Sequence, residues 1–222
     1  MLWPGFRHAA TPARRLTRFG RDLAPSLSGW HTPELAKSDS ARISVLWALL
    51  ALFISLLWQF STVRYNFGGN WTALFCTGQV ERIPPELQAH TYTFPGKGYD
   101  GQMYRYVAHD PFLGRGYQSY VDAPRLRYRR LLVPGLALAF AGGRQGLIDG
   151  SYIAVTGMFV LLGAYWLSRW ATVNELHPAW GLAFLLVPGT LVSMDRMTVD
   201  GSLAALCVAA SNSLRPACTE VR

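Results

Sequence analysis

The feature that most constrains this chain is an uncharged apolar run of 21 residues from Ile43 to Val63. At about 1.5 Å per residue, a helix of that length crosses a hydrocarbon core of roughly 30 Å. Trp58 and Tyr65 lie near its far end, where amphipathic rings favour the membrane interface. The run predicts a transmembrane helix over residues 43–63 and argues against a typical soluble domain.

Later segments are also apolar. The first covers residues 131–146, and its Pro134 and Gly135 suit a membrane helix better than a soluble one. The others cover residues 147–170, 180–194 and, more weakly, 197–214. The predicted fold class is therefore all-α, as a polytopic helical membrane protein with four to five transmembrane helices.

The charge balance favours lipid over nucleic acid as a partner. The chain has a formal net charge of +8, but only 15% of its residues are charged and 50% are hydrophobic. Soluble domains usually carry about 25% charged residues. The expected partners are a lipid bilayer and a lipid-linked phosphate, with no nucleic acid. Three cysteines are too few for a disulfide scaffold or a paired zinc site.

Orientation follows from the two polar regions around the first span. Residues 1–42 are basic, and we interpret them as a cytoplasmic tail before an uncleaved anchor. The loop over residues 64–130 holds nine Lys and Arg, which favours the reverse orientation. Loops longer than about 60 residues translocate largely regardless of charge, however. We predict that the loop is extracytoplasmic and that residues 215–222 form a polar tail.

The loop contains its densest polar and aromatic stretch between Gly98 and Pro111. Helical spacing over Gln102–Asp110 separates two sides. One side holds Gln102, Arg105 and His109, and the other holds Tyr99, Met103, Tyr106 and Asp110. This pattern predicts an amphipathic helix that lies in the headgroup layer.

Asp100, just before this stretch, has two interpretations. At a helix start its carboxylate accepts backbone N–H groups as an N-cap. At a membrane surface, with Gly98 and Gly101 leaving room for a substrate, the same carboxylate takes a proton from an attacking hydroxyl. The two roles do not exclude each other.

A basic cluster precedes the segment over residues 131–146. It consists of Arg125, Arg127, Arg129 and Arg130. One interpretation is a set of interfacial anchors that contact anionic headgroups. The other is a phosphate clamp, because the planar guanidinium fork matches phosphate oxygens and stays charged.

Further charged candidates are Asp110, Arg196 and Asp200. Asp195 and Arg196 either satisfy each other in a short loop or belong to a site, and Asp200 falls inside the weak last span, where a charge is costly. His109 and Asp110 are too few to specify a metal site. The sequence therefore indicates no metal and no cofactor, and it leaves a divalent metal open.

A family resemblance rests on three motifs in this order: Gly98-Tyr99-Asp100-Gly101-Gln102-Met103-Tyr104, Asp110-Pro111 and Tyr128-Arg129-Arg130-Leu131-Leu132-Val133-Pro134. Pro188-Gly189 and Arg196-Met197-Thr198-Val199-Asp200 fit the same pattern. Over residues 43–210 the chain resembles bacterial multi-spanning proteins related to the GT-C superfamily of glycosyltransferases. The resemblance implies a helical membrane fold in the bacterial inner membrane and an extracytoplasmic active site.

The resemblance also implies a reaction. A sugar on a polyprenyl phosphate would be the donor, and a cell-envelope component would be the acceptor. Asp100 matches the acidic residue of the first large outer loop and would be the base. Substrate or phosphate binding would fall to Tyr99, Gln102, Tyr104, Arg125, Arg127, Arg129 and Arg130.

The chain departs from the family in its number of spans, because GT-C enzymes have about eight or more. We therefore expect an N-terminal portion of such a protein, which puts its own activity in question. The alternative function is a non-catalytic membrane protein, such as a transporter subunit or a partner in glycopolymer assembly or export, that binds lipid headgroups. Neither the sugar, the acceptor nor the oligomeric state follows from the sequence.

Overall fold

The computed structural model describes the backbone of residues 33–213 and the side chains from Ser40 onward. Residues 1–32 of the predicted tail over 1–42, and the whole predicted tail over 215–222, lie outside this range. The described chain is mostly helical. Its α-helices are α1 (Pro33–Asn66), α2 (Pro85–Gln88), α3 (Asp100–His109), α4 (Pro124–Arg127), α5 (Leu132–Phe140), α6 (Ile148–Val173), α7 (Pro188–Arg196) and α8 (Asp200–Ser213).

The remaining elements are short. Four 3-10 helices cover Trp71–Phe75, Tyr117–Tyr120, Gln145–Leu147 and Pro178–Leu186. Two two-residue strands, β1 (Thr77–Gly78) and β2 (Thr93–Phe94), pair in parallel with Thr77 opposite Thr93. These elements leave the predicted helical fold class unchanged.

Two helical segments are long and apolar enough to cross a membrane. They cover Ser40–Asn66 and Gln145–Val173, and thus include the first and third predicted spans. The two run antiparallel, because Arg169 near the end of α6 donates to the Ser40 hydroxyl at 3.1 Å near the start of α1. The chain therefore leaves the loop side through α6 and returns to the side where α1 begins.

A bent pair of helices is the third candidate span. Pro178–Leu186 and α7 are bent by 61° at Val187, and together they pass the same test as one broken span. The ring of His177 packs on that of Trp47 at 5.9 Å, and the carbonyl of Met194 accepts from Gln59 at 2.9 Å. The pair therefore runs from the start of α1 towards its end. This region contains the predicted span over residues 180–194.

Helix α8 packs beside α6. Near its start, Tyr152 donates to the carbonyl of Met197 at 3.1 Å, and near its end, Asn212 donates to that of Trp166 at 2.9 Å. Its 14 residues extend roughly 21 Å. Most of the predicted span over residues 197–214 is thus helical, although it is shorter than the two long spans.

The structure corrects the predicted crossing over residues 131–146. Helix α5 has nine residues, or roughly 14 Å, too short for a bilayer. Arg130, just before it, donates to the Tyr104 hydroxyl at 2.9 Å, and Gln145, just after it, bonds to His109 at 2.8 Å. Both ends of α5 therefore contact α3, and the chain does not cross between α1 and α6.

The structure also corrects the predicted surface position of the amphipathic helix. Every residue of α3 from Gly101 to His109 is buried. Met103, Tyr106 and Val107 pack with Tyr117 and Leu87 in a small core of the loop, whereas Ala108 joins the main core of α5 and α6. The helix is amphipathic as expected, but its polar side faces other protein groups rather than headgroups.

The loss of one crossing changes which segments share a side of the membrane. In the structure Leu176 lies on the opposite side from Gln118, whereas a crossing at 131–146 would put both on the same side. We therefore expect Gln118→Cys and Leu176→Cys to react with an impermeant maleimide from opposite faces of sealed vesicles. The native cysteines would be replaced by serine in both variants, and labelling from the same face would contradict this topology.

Candidate functional site

Two carboxylates around one guanidinium form the first part of the site. Arg127 donates through Nη1 and Nη2 to both oxygens of Asp100, at 2.7 and 2.8 Å. It also donates through Nε and Nη2 to both oxygens of Asp122, at 2.9 Å each. The Arg127 side chain is only 7% exposed, whereas those of Asp100 and Asp122 are 51% and 48% exposed.

Tyr104 also belongs to this cluster, because it contacts Arg127 through both its ring and its hydroxyl. Its ring centroid lies 5.2 Å from the Arg127 guanidinium carbon, and its hydroxyl accepts from Arg127 at 3.3 Å and from Arg130 at 2.9 Å. Arg127 thus uses all five of its N–H donors within the described chain. The hydrogen bonds to Asp122 and Asp100 raise the pKa of Arg127, and the bond from Arg127 lowers the pKa of Asp122 below its ordinary value.

Asp100 therefore differs from the predicted N-cap. It is the first residue of α3, Tyr99 is the N-cap, and no side chain caps the helix start. The Asp100 carboxylate is held by Arg127 instead, and this contact fixes its direction while leaving about half of it open to solvent. An oriented and accessible carboxylate is the arrangement that proton abstraction from a hydroxyl requires.

A cleft of about 410 Å³ lies beside the start of α3. Its apolar wall consists of Trp58 from α1 and of Leu191, Val192 and Met194 from α7, and its polar end consists of Tyr99, Asp195 and Arg196. Arg196 pairs with Asp195 at 3.0 Å and also donates to the Cys76 sulfur at 2.9 Å. The cleft thus joins the ends of two membrane helices to the residue before Asp100.

The contact between α3 and α7 depends on Gly101. A Cβ at this position would overlap the carbonyl oxygen of Arg196 and approach that of Phe75 at 3.0 Å. Only glycine allows the start of α3 to lie directly on the end of α7. This junction brings the motif around Asp100 together with the later motif around Arg196.

A second polar cluster holds the other end of α3. Arg105 donates to both oxygens of Asp149 at 2.8 and 2.7 Å and to the Thr91 hydroxyl at 2.7 Å. The two ring nitrogens of His109 face Asp149 at 3.0 Å and Gln145 at 2.8 Å. These groups border a polar cavity of about 230 Å³ between the loop and the start of α6.

The other predicted residues have diverse surroundings. Gln102 is buried, and its amide bonds Gly78 N–H and the Lys97 carbonyl at 2.9 Å each, so it fixes the loop backbone. Asp110 is buried and accepts from Tyr117 N–H at 3.0 Å. The remaining candidates, Arg125, Arg129, Arg130 and Asp200, are exposed.

Sequence reasoning did not assign a role to Asp149 or to the cleft wall. Asp149 stood out only as an acid at the start of an apolar span, and its partners lie 40 and 44 residues earlier. The sequence feature that could have indicated this cluster was the spacing of Arg105 and His109, which lie four residues apart on one side of a predicted helix. Trp58 and Leu191 look like ordinary membrane-facing residues, because the cleft exists only where α1 and α7 meet.

Within residues 40–213, no group of three or more His, Cys, Asp or Glu side chains is arranged to hold a metal ion. Comparisons of the chain with family models, with curated proteins and with solved structures find no match. The arguments about function therefore depend on the geometry of the described residues and on the sequence motifs.

Gly101→Ala tests the junction between α3 and α7. We expect a loss of about 1–3 kcal/mol in stability, because the added methyl overlaps backbone that cannot move without shifting a helix. Thermal unfolding in detergent measures this loss as a lower midpoint temperature. Gly114→Ala is the matched control, since a Cβ there meets nothing within 4 Å. Equal midpoints for the two variants would contradict the close contact.

Arg127→Lys tests the two-carboxylate cluster. A lysine ammonium cannot donate bidentate bonds to Asp100 and Asp122 together. We expect a loss of about 1–2 kcal/mol, near the lower end for charge-assisted bonds because both carboxylates are half exposed. Thermal unfolding measures it, with the exposed Arg125→Lys as control. A midpoint unchanged in Arg127→Lys would remove the cluster as a stabilising element.

Proposed function

We propose that this chain is a GT-C-like membrane glycosyltransferase component that transfers a sugar from a polyprenyl-phosphate donor to a cell-envelope acceptor. The observation that carries the proposal is the cleft between α1, α7 and the start of α3. One wall of it is apolar and formed by membrane helices, and its other end is polar and adjoins Asp100 in sequence.

The cleft matches the chemistry of such a donor. A polyprenyl phosphate has a long apolar tail, for which Trp58 and Leu191 offer a surface at the membrane end. Its phosphate needs a cation at the polar end, and Arg196 is the guanidinium in the lining. Because Leu191 and Trp58 are about half exposed, the tail can enter from the bilayer.

Each candidate residue then has a distinct role. Asp100 accepts the proton of the acceptor hydroxyl. The hydroxyl oxygen bonds to the anomeric carbon of the donor sugar while the bond from that carbon to the phosphate breaks. Arg127 orients Asp100 and has no N–H left for phosphate, so it acts as a positioning residue. Arg196 and Arg130 stabilise the leaving phosphate, and Tyr99 offers a ring on which a sugar can stack.

The proposed setting is the bacterial inner membrane with a cytoplasmic N-terminus. The chain crosses four times, through α1, α6, the bent pair over residues 178–196, and α8. Asp100 and Arg196 are then both extracytoplasmic, where the lipid-linked sugar is available. Their contact through Gly101 and the antiparallel order of α1 and α6 support this assignment.

Asp100→Asn tests the proposed chemistry. We expect transfer from a radiolabelled polyprenyl-phosphate sugar to fall at least about a hundredfold, because a general base contributes on that order. Binding of polyprenyl phosphate, measured by native mass spectrometry, should persist. Asp122→Asn is the matched control, since it removes the other carboxylate on Arg127 and should retain transfer.

Three outcomes would contradict the proposal or one of its parts. Transfer at the wild-type rate in Asp100→Asn would exclude the base role. Polyprenyl-phosphate binding without any transfer by the wild-type chain would favour a non-catalytic partner in glycopolymer assembly or export. Unchanged binding in Arg196→Ala would remove the cleft as the donor site.

A further inference from the structure

Helix α5 presents a fully apolar surface on the loop side of the molecule. Its sequence, LVPGLALAF, contains no polar side chain. Val133, Pro134 and Ala137 are buried against the protein, whereas Leu132 is 46% and Phe140 is 60% exposed. A helix that is apolar all round is stable where both of its faces avoid water.

The position of α5 excludes a crossing of the membrane, but it allows the helix to enter one leaflet. Both of its ends contact α3, and its buried face packs on α3 and α6. Its outer face thus lies beside the loop-side end of the membrane helix α6. At this depth the surroundings change from acyl chains to headgroups.

Exposed arginines flank the apolar surface. Arg129 and Arg130 precede α5, and Arg144 follows the turn that ends it. Leu147, which is 52% exposed and directly precedes α6, continues the apolar face. Arginines at both ends of an apolar helix match a surface in which phosphates overlie acyl chains.

We infer that α5 inserts part-way into the leaflet on the loop side and binds anionic phospholipid there. Leu132 and Phe140 contact the acyl chains, and Arg129 and Arg144 contact headgroup phosphates. The occupant of this surface is therefore bulk membrane lipid. This inference is independent of the proposed function, because it uses neither Asp100 nor the cleft.

The insertion has a structural consequence for α3. Ala108 of α3 packs in the same core as Val133 and Ala137 of α5, and Arg130 bonds Tyr104. A helix held at a fixed depth in the leaflet would therefore also fix the depth of α3 and of the cluster around Arg127. Contact with the headgroup layer, which the sequence predicted for α3, is thus made by α5.

Site-directed fluorescence on the full chain in lipid nanodiscs tests the insertion. A bimane label is attached at Phe140→Cys or at Phe112→Cys, with the native cysteines replaced by serine. Phe112 is the matched control, because it is an aromatic residue of the same loop that is 85% exposed. We expect phospholipids brominated on the acyl chains to quench the label at 140 severalfold more than that at 112, and aqueous iodide to show the reverse order.

Other quenching results would overturn the inference. Strong iodide quenching at position 140 would put α5 in water. Protection from both quenchers at 140 would mean that protein, such as a second copy of the chain, covers α5 instead of lipid.

Lipid retention tests the headgroup contacts separately. Native mass spectrometry compares bound phosphatidylglycerol and phosphatidylcholine in wild type and in the double variant Arg129→Gln, Arg144→Gln. Each arginine near a membrane surface changes the affinity for anionic lipid about fivefold, so we expect the preference for phosphatidylglycerol to fall by about that factor per arginine. Arg115→Gln, an exposed loop arginine paired with Glu86, is the control. An unchanged preference in the double variant would overturn the headgroup contacts.

Discussion

The buried pair between Arg105 and Asp149 is the interaction on which the arrangement of the loop depends. It joins α3 to the first turn of α6 through two bonds of 2.7 and 2.8 Å, with the Arg105 side chain 1% exposed. Removing Asp149, whose side chain is 26% exposed, would leave the Arg105 charge buried without its partner, a change that costs about 3–5 kcal/mol in fully buried pairs. His109 and Thr91 share the remaining polar atoms, so the network is satisfied as a whole.

This pair also explains why the chain does not cross the membrane between α1 and α6. Asp149 contacts α3, so α6 begins at the end of the molecule where α1 ends. Every later pass takes its direction from that start, and α7 consequently ends beside Gly101. The charge pair at the start of α6 and the close approach at Gly101 thus hold opposite ends of α3, and the second brings together two sequence motifs about a hundred residues apart.

Some of this fold could be predicted from the sequence, because membrane insertion depends on local composition. The apolar runs within α1 and α6 are long enough to specify spans by themselves, and the polar run at residues 102–110 identified α3 to within two residues at its start. The 131–146 segment has similar hydropathy but only nine helical residues. The number of residues that are helical in this segment depends on the contacts at its two ends, and these contacts cannot be read from composition.

The candidate site could likewise be predicted only in part from the sequence. The residue types around Asp100 and Arg127 were visible in the sequence, but their assignment to roles was not. Four arginines within six residues look equivalent in a sequence, yet Arg127 is buried between two carboxylates while Arg125 and Arg129 are exposed. The distinction arises from the turn of α4, which directs Arg127, but not Arg125, towards Asp100 at the start of α3.

In the proposed lipid-linked reaction, the rigid helix that carries Asp100 and the cleft between membrane helices would meet two separate requirements. Asp100 is fixed by Arg127, and α3 is buried over the rest of its length, so the carboxylate keeps its direction without a substrate. The cleft instead lies along α7, between the 61° break at Val187 and the end of the helix. In the proposed reaction the tail of the donor would lie along this helix, and Asp100 would keep its direction because Arg127 and the Gly101 contact hold the start of α3.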